Sequence, residues 1–210
     1  MRLSLREERK VRTSATIAAA ALELFAAHGY AAVTVGEVAA AAGVGERTLY
    51  RYFADKQDLL FAEDQNFRVS LRSALKRQPE GQPPFTVLRG ASALVARALE
   101  QRREEVARRA QVIAGSPALT ARERAKHAAW EVVLAQGLSQ RGVTPAEAAL
   151  LGRIAVACYQ EALTRWLAHD QPHQTLQIEL ELVFRQLAAL VTTADHRQPR
   201  AEPPAAPRGT

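Results

Sequence analysis

The chain has 210 residues, of which 48% are hydrophobic, and it carries a formal net charge of +6. This length allows one large domain, or a small domain beside a larger one, without a disulfide or metal to stabilise it. The single cysteine, Cys158, excludes an internal disulfide and is typical of a reducing cytosol. Residues 1–10 are charged and unlike a secretory signal, and no run of about 18 uncharged apolar residues indicates a membrane span. We therefore expect a soluble protein of the cytoplasm.

The positive charge is unevenly distributed along the chain. Residues 61–130 hold 13 Lys and Arg against 7 Asp and Glu, whereas residues 1–60 hold 8 against 7. A nucleic-acid interface near the N-terminus therefore has to depend on the local placement of basic residues, not on bulk charge.

Residues 1–12 are charged and poor in apolar side chains, so we expect a mobile arm there. Its basic residues, which can still contact phosphates, are Arg2, Arg6, Arg9, Lys10 and Arg12. Thr13 is the expected N-cap of the first helix, and His28-Gly29 marks the expected end. The apolar stripe of that helix consists of Ile17, Ala21, Leu24 and Phe25.

Residues 34–56 predict two short helices joined by a tight turn. Thr34 and Glu37 fit a capping box, in which the hydroxyl and the carboxylate each accept a backbone hydrogen bond. Gly43 can adopt the positive φ that ends a helix. Leu49 and Phe53 are four residues apart and supply the inner face of the second short helix.

The outer face of that second helix carries Glu46, Arg47, Thr48, Tyr50, Arg51 and Tyr52. Guanidinium, hydroxyl and phenol groups in this arrangement suit the DNA major groove and its flanking phosphates. A solvated helix face is the plainer interpretation, but two exposed tyrosines on so short a helix favour a binding surface. Arg47 is the first candidate for bidentate contact with a guanine.

A fourth helix is predicted over residues 55–77, long enough to link two domains. Prolines and a glycine in residues 78–84 predict a loop. Further helices are predicted at 85–101, 102–114, 118–140, 144–169 and 174–193, with Thr144 and Glu147 as a second capping box. No strand pattern occurs, so we expect an all-α protein of about nine helices. Residues 195–210 hold four prolines and are expected to be disordered.

The last two predicted helices suggest a homodimer. The helix at 144–169 is apolar around nearly its whole circumference, which requires cover on most sides. The helix at 174–193 has one apolar stripe made of Leu176, Leu180, Val183, Phe184, Leu187 and Val191. It has a second made of Ile178, Leu182 and Ala189. One stripe can pack inward and the other against a second copy of the chain, which would present paired recognition helices to a palindromic site.

A set of N-terminal residues agrees in type and spacing with a known pattern: Thr34, Val38-Ala39, Ala42-Gly43-Val44, Thr48-Leu49-Tyr50, Tyr52-Phe53, Lys56 and Leu59, with Leu24-Phe25 and Gly29-Tyr30 upstream. These residues resemble the DNA-binding domain of the tetracycline-repressor (TetR) family over about the first quarter of the chain. Two positions depart from the pattern. The family usually has Ser where this chain has Gly45, and relatives can carry a base-contacting side chain where this chain has Gly36.

The resemblance implies a set of DNA-binding residues: Thr34, Gly45, Glu46, Arg47, Thr48, Tyr50, Arg51, Tyr52 and Lys56. By position, Thr48, Tyr50 and Lys56 would contact phosphates. Base edges would be approached by Glu46, Arg47, Arg51 or Tyr52. The resemblance also implies a bacterial, cytoplasmic protein that is associated with the nucleoid when bound to DNA, and dimerisation through the last two helices.

The C-terminal half carries the sequence VIAGSPALTARERAKHAAWEVVLAQGLSQRGV at residues 112–143 and Arg165-Trp166 further on. With these residues it is similar to the TetR subgroup whose regulatory domains are compared with acyl-coenzyme A binders. This similarity implies a tunnel for an acyl chain lined by Phe67, Phe85, Trp130 and Tyr159, with arginines such as Arg109 at its mouth. Each of these aromatic residues has a plainer interpretation as core. The cluster of Arg102, Arg103, Arg108 and Arg109 has three interpretations: a salt-bridged surface with Glu104 and Glu105, help in holding DNA, or attraction of an anionic ligand.

The remaining candidate residues do not indicate catalysis or metal binding. His169 and His173 are separated by Pro172, so a zinc pair on one helical face is not expected. His127 is expected to be a satisfied core or surface residue, and Cys158 an inert buried thiol. Without paired carboxylates, an activated nucleophile, metal-ligand spacing or a phosphate loop, we expect neither an enzyme nor a cofactor.

Together these patterns predict a homodimeric, ligand-responsive DNA-binding regulator, most simply a repressor that binds a pseudo-palindromic operator and is released by a small-molecule effector. Residues 1–55 would form the arm and helix-turn-helix domain. Residues 56–194 would form the ligand-binding and dimerisation domain, and 195–210 the tail. The alternative is a constitutive DNA-binding dimer without an inducer, because core residues and pocket-lining residues are alike in sequence.

Overall fold

The computed structural model of the chain describes residues 4–168 and 174–195, and these residues form ten helices without a strand. The helices are α1 (Leu5–His28), α2 (Val35–Ala41), α3 (Glu46–Tyr52), α4 (Asp58–Phe61), α5 (Asp64–Lys76), α6 (Pro84–Glu100), α7 (Arg103–Ala114), α8 (Pro117–Ser139), α9 (Pro145–Ala168) and α10 (Leu176–Asp195). The expected all-α class is confirmed. The predicted helices after residue 84 are found within two residues of their expected starts.

Helix α1 begins well before Thr13, so the expected mobile arm is wrong for residues 4–12. Ser4, not Thr13, is the N-cap: its hydroxyl accepts from the N–H of Glu7 at 3.3 Å, and the Glu7 carboxylate accepts from the N–H of Ser4 at 2.8 Å. Arg, Glu and Lys are good helix formers. Because the helix is already nucleated where it packs on the protein, extending it adds one hydrogen bond per residue at little cost.

The first four helices pack around what we call the first core. Its buried side chains are Ile17, Ala21, Leu22, Phe25, Val33, Val38, Ala39, Leu49, Phe53, Leu59, Leu60, Phe61, Val112, Ile113 and Leu119. Gly29, at φ 84°, ends α1 as expected, and Gly43, at φ 66°, turns the chain after α2. The last three core residues come from α7 and α8, so the C-terminal part of the chain completes this core.

The predicted fourth helix is interrupted. Asp55 lies in a turn, α4 is a single helical turn, and Ala62 and Glu63 separate it from α5. Residues 59–61 are buried in succession in the first core, whereas Leu71 and Leu75 face a different core. A continuous helix cannot turn three consecutive side chains to one side, so the chain changes direction between the two cores.

The second core is formed by α5, α6, α8, α9 and α10, and its largest fully buried side chain is Trp166. Helices α8 and α9 approach closely at Gly152, where an added Cβ would lie 2.8 Å from the carbonyl oxygen of Glu131. Thr144 caps the start of α9 as predicted for one half of the capping box, since its hydroxyl accepts from the Glu147 N–H at 3.4 Å; the hydroxyl also donates to the Glu147 carboxylate at 2.7 Å.

Helix α10 buries Leu176, Leu180, Val183 and Phe184 against the second core, and Leu187 is partly buried there. Val191 was expected on the same stripe, but its side chain is 62% exposed because the helix has passed the end of the core at that point. Ile178, Leu182 and Ala189 are exposed, as expected for the second stripe. The predictions for His169, His173, Pro172 and the tail at 196–210 lie outside the described residues. Within residues 4–168 and 174–195, no helix is long and apolar enough to cross a membrane.

Candidate functional site

Helices α2 and α3 form the predicted helix-turn-helix. Thr34 and Glu37 make the expected capping box, with the Thr34 N–H donating to the carboxylate at 2.6 Å and the Glu37 N–H donating to the hydroxyl at 3.2 Å. The bond from the Thr34 N–H, together with one from the Thr34 hydroxyl at 2.8 Å, holds the pKa of the Glu37 carboxyl below its usual value. Gly36 lies beneath Glu46 of α3, since an added Cβ would come within 2.6 Å of the Glu46 Oε1. A larger residue at this position would displace that carboxylate.

Helix α3 is anchored on one side and open on the other. Leu49 is fully buried, and Phe53, which follows the helix, is 4% exposed. The rest of the helix leaves Glu46, Arg47, Tyr50 and Arg51 exposed and Thr48 half-buried. The expectation of two exposed tyrosines is wrong for Tyr52, which is half-buried because it packs against the first core. Six of the predicted DNA-contacting residues therefore lie on one short helix with a firmly packed base.

Gly45 is the N-cap of α3 in extended geometry and offers no side-chain acceptor. Its carbonyl oxygen still accepts from the N–H groups of Thr48 and Leu49, at 2.8 and 3.1 Å. The space around it is open, with no atom within 4 Å of an added Cβ. The start of α3 is therefore held by backbone hydrogen bonds and by the packing of Leu49.

Lys56 is directed inward in this structure. Its ammonium group donates to the carbonyl oxygen of Tyr30 and lies 4.4 Å from the centre of the Tyr30 ring and 5.5 Å from that of Phe25. Burial lowers the pKa of Lys56. The side chain ties the end of the helix-turn-helix to the segment after α1, so a phosphate contact by Lys56 would require exchange of this hydrogen bond.

The structure brings together three of the four aromatic residues expected to line a ligand tunnel. The rings of Phe67 and Trp130 stack with centroids 3.9 Å apart, and the Tyr159 ring lies 5.5 Å from Trp130 and 6.3 Å from Phe67. We call these three residues the aromatic cluster. Phe85 is not part of it, because its ring packs edge-on against Phe184 at 5.3 Å.

Several polar side chains lie together beside the aromatic cluster, and the sequence analysis did not predict that they meet. We call them the polar group. Glu123 accepts from Lys126 at 2.5 Å and from Arg109 at 3.1 Å, and Arg109 also donates to the carbonyl oxygen of Leu60 at 2.7 Å. The Lys126 ammonium lies 4.5 Å from the Trp130 ring centre. In sequence, Glu123, Lys126, His127 and Trp130 follow the i, i+3, i+4, i+7 pattern of one helical face, which is the signal that could have revealed the group.

Burial dominates the electrostatics of this polar group. It lowers the pKa of Lys126 to about 8 and, with the nearby Lys126 charge, that of His127 to about 4. Burial also raises the pKa of the Tyr159 phenol. For Glu123 burial acts in the opposite direction, but the charges of Arg109 and Lys126 prevail and hold its pKa below the usual value.

His127 combines one satisfied and one orphaned nitrogen. Its Nδ1 lies 2.7 Å from the amide nitrogen of Gln160, which makes Nδ1 the acceptor and assigns the proton to Nε2. Nε2 is buried without a hydrogen-bond partner; the Glu123 carboxylate is 3.4 Å away but not aligned. The expected satisfied histidine is therefore only half satisfied.

Two hollows in the described part of the protein lie away from the aromatic cluster. One, of about 870 Å³, is an open groove between the loop after α5 and the turn after α8, lined by Val87, Arg141 and Leu151 among others. The other, of about 270 Å³, lies between α6 and α10 near Arg89 and Ile178. Neither is lined by the aromatic cluster or by Arg109. Of the expected tunnel residues, Phe67 stacks on Trp130 and Phe85 packs on Phe184.

The arginine cluster at the start of α7 forms ion pairs with α1 and with the junction between α4 and α5. Arg102 pairs with Glu63 at 2.6 Å and with Glu105, and Arg108 pairs with Glu23 of α1. These contacts favour the interpretation of a salt-bridged surface. In α8, which the sequence analysis did not single out for this role, Arg122 binds Asp55 at 3.0 Å and also Asp58, next to the helix-turn-helix.

A packed helix-turn-helix joined to a larger helical domain defines a DNA-binding transcriptional regulator. The chain belongs to the TetR family: residues 17–62 match the family described as bacterial regulatory proteins, tetR family, and residues 82–192 match the MftR C-terminal domain. The resemblance inferred from the sequence is thus confirmed, and the matching families and relatives are transcriptional regulators rather than enzymes.

Among curated proteins, the chain is 31% identical over 133 residues to the putative mycofactocin biosynthesis transcriptional regulator MftR of Mycobacterium tuberculosis (strain ATCC 25618 / H37Rv), covering 63% of this chain and 67% of that one. It is 34% identical over 87 residues to the HTH-type transcriptional regulator TcmR of Streptomyces glaucescens, covering 41% of this chain and 38% of that one.

Among solved structures, FadR of Thermus thermophilus, a TetR-family transcriptional repressor in complex with lauroyl-CoA, is 25% identical with a TM-score of 0.54. The match covers 93% of this chain and 100% of that chain. FadR of Bacillus halodurans, described as a fatty acid degradation regulator, has a TM-score of 0.61 at 21% identity over 83% of this chain and 94% of that chain, and it supports the fold alone.

Proposed function

We propose that this protein is a ligand-responsive transcriptional repressor that binds a pseudo-palindromic operator as a homodimer and releases it when a small molecule enters the helical domain. The observation that carries the proposal is α3, whose exposed Arg47, Tyr50 and Arg51 lie away from a fully buried Leu49. A rigid base with a polar, cationic outer side is what insertion into the major groove requires.

Within this proposal, the DNA contacts divide by role. Arg47 is exposed in the first turn of α3 and contacts a guanine, while Thr48 and Tyr50 contact phosphates. Glu46, Arg51 and Tyr52 lie close enough on the same helix to border the base contact. Thr34 and Gly45 contribute at the starts of α2 and α3, and Lys56 joins only if it leaves the Tyr30 carbonyl.

The proposed dimer pairs α9 and α10 with the same helices of a second copy. Ile178 and Leu182 on α10 are 45% and 39% exposed, and Leu150 on α9 is 58% exposed. Apolar side chains left open on the last two helices are suited to a symmetric, self-complementary interface. With this dimer, residues 1–55 act as the DNA-binding domain and residues 56–194 as the ligand-binding and dimerisation domain.

The proposed effector is a hydrophobic molecule with an anionic end, such as an acyl-CoA. Its apolar part would separate the stacked Phe67 and Trp130 rings, which are closely packed in this structure. The positive charges of Arg109 and Lys126 beside the aromatic cluster favour an anionic end there. The lauroyl-CoA complex of the Thermus thermophilus FadR, which matches over nearly the whole chain, supports the same class of ligand.

The DNA-binding part is tested by Arg47→Ala, with Arg97→Ala as the control because Arg97 is exposed on α6. An operator is first obtained by selection from random duplexes. Arg47→Ala should weaken binding to it by about 1–3 kcal/mol while leaving non-specific binding nearly intact, and Arg97→Ala should change neither. An equal loss on every sequence would make Arg47 a phosphate contact. A monomeric protein, or a selection that enriches no sequence, would overturn the proposal.

The effector part is tested by calorimetric titration with acyl-CoAs of increasing chain length, with and without operator. A ligand that releases DNA must bind more weakly to the DNA-bound protein, by linkage. Equal affinity in the two titrations refutes ligand gating. The dense packing of the aromatic cluster favours one alternative, a constitutive DNA-binding dimer. In a thermal-shift panel, an effector at 100 times its Kd should stabilise by about 2.7 kcal/mol, and a constitutive dimer should not respond.

A further inference from the structure

Helix α1 extends well beyond the core that it helps to form. From Arg6 onward, the first buried side chain of α1 is Ile17, and residues 6–12 are all exposed. From Arg6 to Ile17 the helix rises by about 16 Å. We call residues 4–16 the overhang. The Ser4–Glu7 capping box fixes its start, so the overhang is a defined helical surface.

One face of the overhang continues the packed face of α1. Arg6, Lys10 and Thr13 precede Ile17 and Ala21 at intervals of three and four residues, which places all five side chains on the same side of the helix. In the second half of α1 this side is buried and apolar. In the overhang the same side carries two exposed cations, Arg6 and Lys10, whereas Arg12 lies on a different side.

The overhang carries an unneutralised positive charge. Its cations are Arg6, Arg9, Lys10 and Arg12, against Glu7 and Glu8. The Glu7 carboxylate is occupied by the N–H and hydroxyl of Ser4, each at 2.8 Å. Within the described ranges, no acidic side chain lies at ion-pair distance from the four cations. Cations spaced four apart on a helix repel each other unless an anion covers them.

We propose that the overhang is a second DNA-binding surface, in which Arg6 and Lys10 contact backbone phosphates beside the bases contacted by α3. The proposal rests on the proposed entry of α3 into the major groove. Duplex DNA is the partner that the charge pattern fits, because it offers a dense line of phosphates and needs no apolar or base-specific complement. A length of about 16 Å corresponds to roughly five base pairs of flanking duplex at 3.4 Å each.

The test compares Arg6→Gln, Lys10→Gln and Arg12→Gln in the full-length protein. All three variants remove one charge from the same exposed helix and introduce the same good helix former, and Arg12 lies on a different face from Arg6 and Lys10. Affinity is measured for the selected operator and for an unrelated duplex over a range of salt concentrations. For Arg6→Gln and Lys10→Gln, the slope of log K against log salt should fall by about 0.9 per lost phosphate contact. Their affinity near 0.1 M salt should fall on the order of five- to tenfold per lost contact, on both duplexes. Arg12→Gln should retain the wild-type slope.

A second measurement uses operator duplexes with and without flanking base pairs. The wild type should bind the flanked duplex more tightly and with a steeper salt dependence, and Arg6→Gln should lose that difference. Three variants with identical slopes, or no effect of flank length on the wild type, would overturn the overhang inference while leaving operator binding by α3 intact. Conversely, a wild type that shows no sequence preference overturns the proposed function, and the slopes on the unrelated duplex still decide whether the overhang contacts DNA.

Discussion

Replacement of Gly152 by Ala tests the packing of α9 on α8, the contact that places Tyr159 beside Trp130. The added Cβ would lie 2.8 Å from the Glu131 carbonyl oxygen, about 0.6 Å short of the 3.4 Å at which ordinary contact begins. The obstacle is a helix backbone, which cannot rotate away, so the two helices must separate. Overpacking of this kind costs about 1–3 kcal/mol, and the higher helix propensity of Ala returns about 1 kcal/mol. We expect a net loss of about 1 kcal/mol, or a fall in Tm of about 2–4 °C.

Gly90→Ala is the matched control. Gly90 also lies inside a helix, α6, but its added Cβ would meet only the end of the Gln78 side chain. That side chain can move, at the cost of its 3.2 Å hydrogen bond to the Ala74 carbonyl. Gly90→Ala should therefore leave stability unchanged or raise it by up to about 1 kcal/mol. Thermal and urea unfolding of both variants, followed by circular dichroism, decides the matter. If Gly152→Ala proves as stable as Gly90→Ala, the close helix contact is not a constraint.

Two further predictions concern the polar contacts around α8. In a double-mutant cycle of unfolding free energies, Arg122→Gln and Asp58→Asn should show a coupling of about 0.5–1 kcal/mol because their ion pair is partly shielded from water. Strictly additive effects would show that this contact does not link α8 to the helix-turn-helix. Burial lowers the pKa of His127 to about 4 in the folded protein. Between pH 6.5 and 4 the unfolded chain therefore binds more protons than the folded protein, and the free energy of unfolding decreases as the pH is lowered. His127→Gln should flatten that part of the stability profile, and an unchanged slope would refute the assignment.

The helix-turn-helix could be predicted because its signals are local. The Thr34–Glu37 capping box spans four residues, and Leu49 and Phe53 are one helical turn apart, so neither depends on distant parts of the chain. The start of α1 was also readable. The sequence from Ser4 to Glu7 fits a capping box, whereas the high charge of the segment predicts disorder; the helix forms because the packed part of α1 behind it is already helical.

Other features required knowledge of distant partners. The break between α4 and α5 exists because residues 59–61 and Leu71 belong to different cores. The local sequence does not indicate which core each of these residues joins. Similarly, sequence spacing could not show that Phe85 pairs with Phe184 while Phe67 stacks on Trp130. For the buried Glu123 and Lys126, the helical spacing was present, but polar residues at that spacing are usually placed on the surface.

The contribution of Val112, Ile113 and Leu119 to the first core sets a limit on protein engineering. A hybrid regulator joins the DNA-binding domain of one protein to the ligand-binding domain of another. From the order of the helices along the chain, the end of α4 is the obvious junction. Such a fusion would remove three apolar side chains from the first core, and Leu60 and Phe61 would then pack against residues of the other protein. A functional hybrid of this protein must therefore keep the end of α7 and the start of α8 together with the DNA-binding domain, or supply equivalent apolar side chains.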